Sequence, residues 1–123
     1  MQRLDLGPVF RGDTWYWQFT VLQPDRTTPQ DITGAAFRFT AKDDLADADV
    51  EATVSGTTAG GECQVTDAAN GLVTVKIDPA QTAGVSAPAV LEYDLQARDG
   101  AGDVWTVARG RLSVDEDVSL TAP

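Results

Sequence analysis

The chain has few of the residues on which catalysis, disulfides and metal clusters usually depend. It contains one cysteine, Cys63, and no histidine among 123 residues. An intramolecular disulfide is therefore impossible, and a zinc cluster of cysteine and histidine ligands is excluded. Nucleophile–base pairs built on histidine are excluded as well. The 19 acidic residues match no glycosidase or metalloenzyme pattern. The sequence therefore predicts a non-enzymatic protein without catalytic residues, cofactors or bound metals.

Positive charge and long apolar runs are also scarce. Nine lysine and arginine residues stand against 19 acidic ones, so the formal net charge is −10. Such a charge repels nucleic acid and anionic lipid. No apolar run approaches the length of a membrane span, and the first ten residues lack the apolar core of a signal peptide. We expect neither nucleic acid nor membrane as a partner, and folding in a reducing cytoplasm.

Strand-like patterns fill most of the chain. Alternating apolar and polar residues recur at intervals of about 10–15 residues, which indicates an all-β sandwich or barrel. The only helical signal is a short turn over residues 78–84, where Asp78 can cap, Pro79 suits the first position and Gly84 can end the turn. We expect one domain over residues 1–123. Strands are predicted at 14–22, 35–41, 50–55, 62–66, 72–77, 91–98 and 104–114.

The last two strands predict each other as a β-hairpin. In one register Glu92 faces Arg111 and Asp94 faces Arg109, while Arg98 lies against the ring of Trp105. The opposite face then buries an apolar set, as a sheet with one buried face requires. That set is Tyr93, Leu95, Ala97, Val104, Thr106, Ala108, Leu112 and Val114.

This register also predicts a candidate protein interface. It places Trp105 and Val107 beside Arg109 and Arg111 on the outward face, and Tyr16 points outward from the first predicted strand. Exposed aromatic residues are favoured at protein interfaces. Two other interpretations stay open. Trp105 is either covered by Arg98 in a cation–π contact, or it joins Tyr16 in a glycan-binding surface.

Two short motifs have both a functional and a structural interpretation. Asp43, Asp44, Asp47 and Asp49 form the densest acidic cluster, and hard cations bind several carboxylate oxygens. The spacing does not match a calcium loop, and a solvated connection is the simpler interpretation. The tripeptide 11–13 (Arg-Gly-Asp) occurs in integrin ligands, but here it directly precedes a predicted strand and suits a turn.

Several segments in order carry a family resemblance. The segments that carry it are residues 12–21, 31–40, 70–75, 78–83, 92–96 and 110–114. Their order and spacing resemble the small immunoglobulin-like β-sandwich domains of tailed bacteriophages, notably the N-terminal domain of phage baseplate upper proteins. The similarity runs from about Phe10 to Val118. It implies an immunoglobulin-like antiparallel β-sandwich with one short helical turn near 79–84.

The resemblance also implies a function. In that family the domain is a structural module of the virion that assembles by protein–protein contact, and it has no catalytic residues to carry over. The chain ends without the long C-terminal extension of a baseplate upper protein. We therefore expect an accessory or connector protein of the tail, baseplate or fibre, present in several copies or as a homo-oligomer. Capsid decoration and binding to a glycan or cell surface are the alternatives. The expected location is the virion, after synthesis in the bacterial host.

Overall fold

The chain folds into two facing β-sheets with one short helix. A computed structural model describes residues 2–25, 27–43, 54–85 and 88–116. The elements are, in chain order, β1 (Gln2–Arg3), β2 (Leu6–Phe10), β3 (Trp15–Thr20), β4 (Ala36–Lys42), β5 (Val54–Thr57), β6 (Cys63–Asp67), β7 (Leu72–Ile77), α1 (Pro79–Thr82), β8 (Ala89–Arg98) and β9 (Val104–Asp115). The larger sheet has the order β1–β9–β8–β4–β5, with β2 also along β9. The smaller sheet has the order β3–β7–β6.

This strand order confirms the expected immunoglobulin-like sandwich. Strands β4, β8 and β9 correspond to C, F and G of that fold, and β3, β7 and β6 to B, E and D. Neighbouring strands among these six pair in antiparallel orientation. β1 and β2 depart from this antiparallel arrangement, because they pair in parallel with β9.

The core lies between the sheets and is built from alternate residues of both. Phe39 and Leu95 of the larger sheet and Val73 and Val75 of the smaller one are at most 1% exposed. Full burial of such side chains contributes roughly 1.5–3 kcal/mol each. The ring of Phe39 stacks on that of Tyr93, with centroids 5.3 Å apart. The period-2 alternation in the sequence is thus explained by one buried and one solvated face on each sheet.

Most predicted elements are present, with shifted ends. The strand expected at 72–77 is confirmed, and the helical turn is present over Pro79–Thr82. Asp78 precedes this turn, but its side chain makes no capping hydrogen bond and lies 3.4 Å from the Lys76 ammonium. β5 includes Gly56 and Thr57, which were expected in a loop. Residues 50–53 of that predicted strand lie outside the described residues.

The predicted register of the hairpin is confirmed in the half that lies away from the turn. Glu92 pairs with Arg111, and Asp94 pairs with Arg109. The Arg111 Nε atom lies 3.4 Å from the Glu92 Oε1 atom. Opposite charges directly across an antiparallel pair were the signal for this register, and such pairs favour alignment.

A β-bulge changes the register near the turn. β9 contains one extra residue, Val107, where the register shifts between Leu95 and Gln96. As a result Ala97 faces Trp105. A one-residue shift moves every later side chain to the opposite face of the sheet.

The bulge makes part of the hairpin prediction wrong. Val107 is 4% exposed, and Trp105 is half-buried and packs against the core. Arg98 faces Val104 and not Trp105. Val104 and Thr106, which were expected in the buried set, pair with residues of the solvated face instead, and Val104 is 61% exposed.

The N-terminal residues cover the outer edge of β9. Gln2 is the partner of Ala108 and Leu6 that of Leu112, both in parallel register. The sequence pattern did not predict these two strands. Because their residues alternate poorly, their position follows from contacts with β9 that only the tertiary structure provides.

The connection between β1 and β2 lies directly over Gly110. A Cβ atom at Gly110 would meet the Leu4 carbonyl oxygen at 2.0 Å. Tyr93, the cross-strand partner of Gly110, donates a hydrogen bond from its hydroxyl to that same carbonyl. Burial raises the pKa of Tyr93 to about 12, and the nearby carboxylate of Asp5 adds to the shift. A residue without a side chain is therefore required at position 110.

Candidate protein-binding face

The outward side chains of the larger sheet form a basic surface. Alternate residues of a strand point to one face, and residues directly opposite each other share that face. The register places six of the nine arginine and lysine residues of the chain on it. We call this surface the basic face. Its cations are Arg3, Arg38, Lys42, Arg98, Arg109 and Arg111.

The acidic residues of this surface lie mainly on its central strand. Glu92 is opposite both Lys42 and Arg111, and Asp94 is opposite Arg109. Asp115 ends β9 at the far end of the same face. Among the described residues, cations therefore outnumber carboxylates on the basic face, although the whole chain has a net charge of −10.

Two shallow depressions run along the basic face. The first has a volume of about 310 Å³ and is lined by Arg38, Lys42, Glu92, Asp94 and Arg109, among others. The second has a volume of about 370 Å³. Both are lined by Arg38 and Gln96, so they adjoin. The surface is open enough for a strand or loop of another protein and does not enclose a small molecule.

The ion pair of Arg111 with Glu92 contributes little to folding. The side chains of Arg111 and Glu92 are 60% and 32% exposed. Pairs this exposed contribute about 0–1 kcal/mol. This pair therefore adds little to the stability of the fold.

Apolar side chains lie at both ends of the basic face. Val104, opposite Arg98, is 61% exposed, and Val90, opposite Ser113, is 55% exposed. Protein interfaces combine apolar contacts with arginine, which is enriched there relative to other surface residues. The basic face thus combines arginine with exposed apolar side chains.

The structure brings together two of the five residues predicted for an interface. Arg109 and Arg111 lie on the basic face, whereas the bulge turns Trp105 and Val107 toward the core. Tyr16 is 61% exposed but lies on the other sheet. There the Lys76 ammonium is 5.9 Å from the centroid of its ring.

The comparisons with known proteins identify no relative. No protein-family model matches this chain, and no curated protein matches it. The chain's own residues are therefore the evidence for its function. In the described ranges, no helix has both the length and the apolar character needed to cross a membrane.

Three cations of the basic face were missed by sequence reasoning. Arg38 and Lys42 were not assigned to this face, because nothing local indicated that β4 pairs with β8. That pairing sets Arg38 opposite Gln96 and Lys42 opposite Glu92. The alternation of each strand, combined with the strand order of the family it resembles, could have found these two. Arg3 could not be found in this way, because β1 was not predicted.

The Arg-Gly-Asp tripeptide forms a fixed turn. The Arg11 guanidinium donates to the Val85 carbonyl oxygen at 3.2 Å. The Gly12 amide donates to the Thr82 hydroxyl oxygen at 2.9 Å. These contacts hold the turn against α1, which supports the structural interpretation of the tripeptide over an integrin-binding one.

The structure describes Cys63 and part of the acidic cluster. Cys63 is fully buried, and burial raises the pKa of its thiol to about 11. A buried thiol with a raised pKa is a poor nucleophile. Across the described ranges, no group of three or more potential metal ligands is found. Of the acidic cluster, only Asp43 is described, and it is exposed. Asp44, Asp47 and Asp49 lie outside the described residues.

Proposed function

We propose that this chain is a non-enzymatic structural protein of a tailed-bacteriophage virion that binds other virion proteins through its basic face. The main support for binding through this face is that six cations lie on it, in a protein with a net charge of −10. The ordered segments that resemble phage immunoglobulin-like domains support the virion assignment. Neither argument involves chemistry on a substrate.

The charge of the basic face defines the partner. Arginine binds carboxylates with paired, directional hydrogen bonds, and arginine provides five of the six cations. The partner is therefore a virion protein with an acidic surface segment. Because the side chains involved are exposed, we expect the contact to weaken as salt concentration rises.

The tail or baseplate is the favoured location, since the resemblance is to a baseplate domain. Capsid decoration requires the same surface chemistry and is the alternative outcome. A glycan-binding role has less support. It needs several exposed rings in one plane, whereas Tyr16 lies on the smaller sheet and Trp105 is half-buried in the larger one.

Fractionation of particles tests the proposed function. Virions of the phage that encodes the chain would be purified, tails and capsids separated, and the chain quantified in each fraction by mass spectrometry. We expect a fixed copy number in the tail fraction. Recovery with capsids alone would reassign the chain to decoration. Its absence from particles, or binding of the isolated chain to host cells or a glycan array, contradicts the proposal.

A further inference from the structure

Three of the sheet edges carry features that hinder pairing with another strand. Short length, proline, charge and bulges are the usual means by which proteins protect edges. β5 has four residues, and the Ser55 amide donates to the Gln81 side-chain oxygen at 3.0 Å. β6 has an irregular register between Val65 and Asp67. The edge formed by β1 and β2 is divided into two short strands, and β2 contains Pro8.

The outer edge of β3 has no charge, proline or bulge, and a side chain of the same chain contacts its backbone at its last residue, Thr20. Residues 14–23 contain no charged residue, no proline and no glycine, in a chain with 23% charged residues. β3 is a regular strand of six residues, rich in aromatic side chains that favour strands. Within the described part of the chain, β7 is its only sheet partner. An uncharged, aromatic edge of this kind favours pairing with another strand.

Two hydrogen bonds show which backbone groups this edge presents. The Val21 amide donates to the Gly71 carbonyl oxygen at 2.8 Å, on the side of β7. The Gln2 side-chain amide donates to the Thr20 carbonyl oxygen at 2.5 Å, from outside the smaller sheet. Successive residues of an antiparallel edge strand direct their amide and carbonyl groups to alternate sides. Tyr16 and Gln18 therefore direct theirs outward, as Thr20 does.

We propose that β3 pairs with β3 of a second copy of this chain, antiparallel, across a two-fold axis at Trp17. In this register Tyr16 of one copy lies opposite Gln18 of the other, and their outward amide and carbonyl groups bond to each other. Thr20 keeps its contact with Gln2. The two smaller sheets join into one six-stranded sheet, and the contact is the same from both sides, as two-fold symmetry requires.

Local charge allows a second copy to approach this edge. Two chains with a net charge of −10 repel each other, so a contact between copies requires a segment without local negative charge. The uncharged segment 14–23 is such a place. Lys76 lies next to Tyr16 and pairs with Asp78, so these two residues add no net negative charge beside the edge.

The aromatic residues of β3 also favour self-pairing. Trp15 and Trp17 are only half-buried, and their rings stack with centroids 6.2 Å apart. Pairing about an axis at Trp17 brings the two Trp17 side chains together and removes exposed ring surface from water. Aromatic pairs across strands contribute roughly 0.2–1 kcal/mol beyond alanine pairs.

This pairing is independent of the proposed function. It uses the edge of the smaller sheet, while the basic face belongs to the outer surface of the larger sheet. A dimer would present two basic faces to the virion. The homodimer can therefore fail while the virion contact holds, or the reverse.

The mass of the protein in solution tests the proposal. Sedimentation equilibrium from micromolar to millimolar protein should show the mass rise from the 13.0 kDa of one chain toward twice that value. Gln18→Pro removes an outward amide that β7 does not use, and proline is tolerated on edge strands. We expect it to weaken dimerisation at least about tenfold, which corresponds to about 1.4 kcal/mol.

A second variant and its control cover the case in which Gln18→Pro does not fold. Gln18→Lys adds a charge to the edge, and Gln64→Lys adds the same charge to the far strand of the same sheet, because Gln18 and Gln64 both pair with Thr74. We expect only Gln18→Lys to weaken the dimer. The proposal is overturned if the wild-type chain stays monomeric at every concentration, or if the two lysine variants dimerise equally well or equally poorly.

Hydrogen exchange locates the contact. The amides of Tyr16 and Gln18 should become protected as protein concentration rises, whereas the amide of Trp17, which points toward β7, should not change. If a dimer forms without this alternating protection of amides, it uses a different surface, for example the edge of another strand. That result would overturn the register proposed here.

Discussion

Gly110→Ala is expected to destabilise the protein by about 3 kcal/mol or more. The new methyl group would meet the Leu4 carbonyl oxygen at 2.0 Å, so the N-terminal segment must move. Overpacking alone costs about 1–3 kcal/mol, and moving Leu4 also breaks its hydrogen bonds with the Tyr93 hydroxyl and the Arg109 carbonyl. The total free energy of unfolding of a domain of this size is about 5–15 kcal/mol. Denaturant unfolding would measure the loss.

Gly100→Ala is the matched control for this prediction. An added Cβ at Gly100 meets no atom within 4 Å, and its backbone is not in the left-handed region. A double-mutant cycle adds a sharper test. Tyr93→Phe should lower the free energy of unfolding less in the Gly110→Ala background than in the wild type, because Leu4 has already moved away from the Tyr93 hydroxyl. A Gly110→Ala variant within about 0.5 kcal/mol of the wild type would contradict this account of the N-terminal segment.

Arg109→Glu is expected to weaken binding to the virion partner at least about tenfold. The substitution places a carboxylate beside Asp94 on the basic face and brings it against an acidic partner. Like charges brought together at an interface cost several kcal/mol, and each 1.4 kcal/mol corresponds to a factor of ten. Competition with the wild-type chain for incorporation into particles would measure the effect.

Lys76→Glu is the control, because it changes the net charge by the same amount on the other sheet. Lys76 is partly exposed, and its ion pair with Asp78 is a surface contact, so the fold should tolerate the change. We expect incorporation close to that of the wild type. Equal loss from both variants would indicate a general charge effect, and normal incorporation of Arg109→Glu would exclude the basic face as the contact.

The sequence was sufficient for those parts of the fold that depend on local alternation. Residues 72–77 alternate cleanly and form β7 as predicted. The pairs of Glu92 with Arg111 and Asp94 with Arg109 are also confirmed, because opposite charges and a buried apolar face agreed on one register. In each case the evidence lay within a strand or between two strands joined by a short turn.

Other parts of the fold depend on contacts distant in sequence. The bulge at Val107 changes the face of the sheet on which Trp105 lies. The alternation of apolar and polar residues in the sequence does not indicate where such an extra residue is inserted. The parallel strands β1 and β2 are positioned by β9, more than 100 residues later. From the sequence, Gly110 cannot be distinguished from an ordinary strand residue. The requirement for glycine comes from Leu4, which lies over Gly110 only in the folded chain.

The candidate site shows the same division. Arg109 and Arg111 were predicted to lie on one outward face, and they do. The extension of that face to Arg38 and Lys42 required the pairing of β4 with β8. Two of the five residues predicted for an interface therefore belong to the surface on which the proposed function now depends.

The two lysines of the chain permit the most direct test of this function. Lys42 lies on the basic face, and Lys76 lies on the outer surface of the smaller sheet. Intact particles would be treated with a carbodiimide, which joins lysine to a carboxylate in contact with it, and the linked peptides would be identified by mass spectrometry. We predict that Lys42 is joined to an acidic segment of another virion protein and that Lys76 is not. Links to a virion partner from Lys76 alone would contradict the assignment of the basic face.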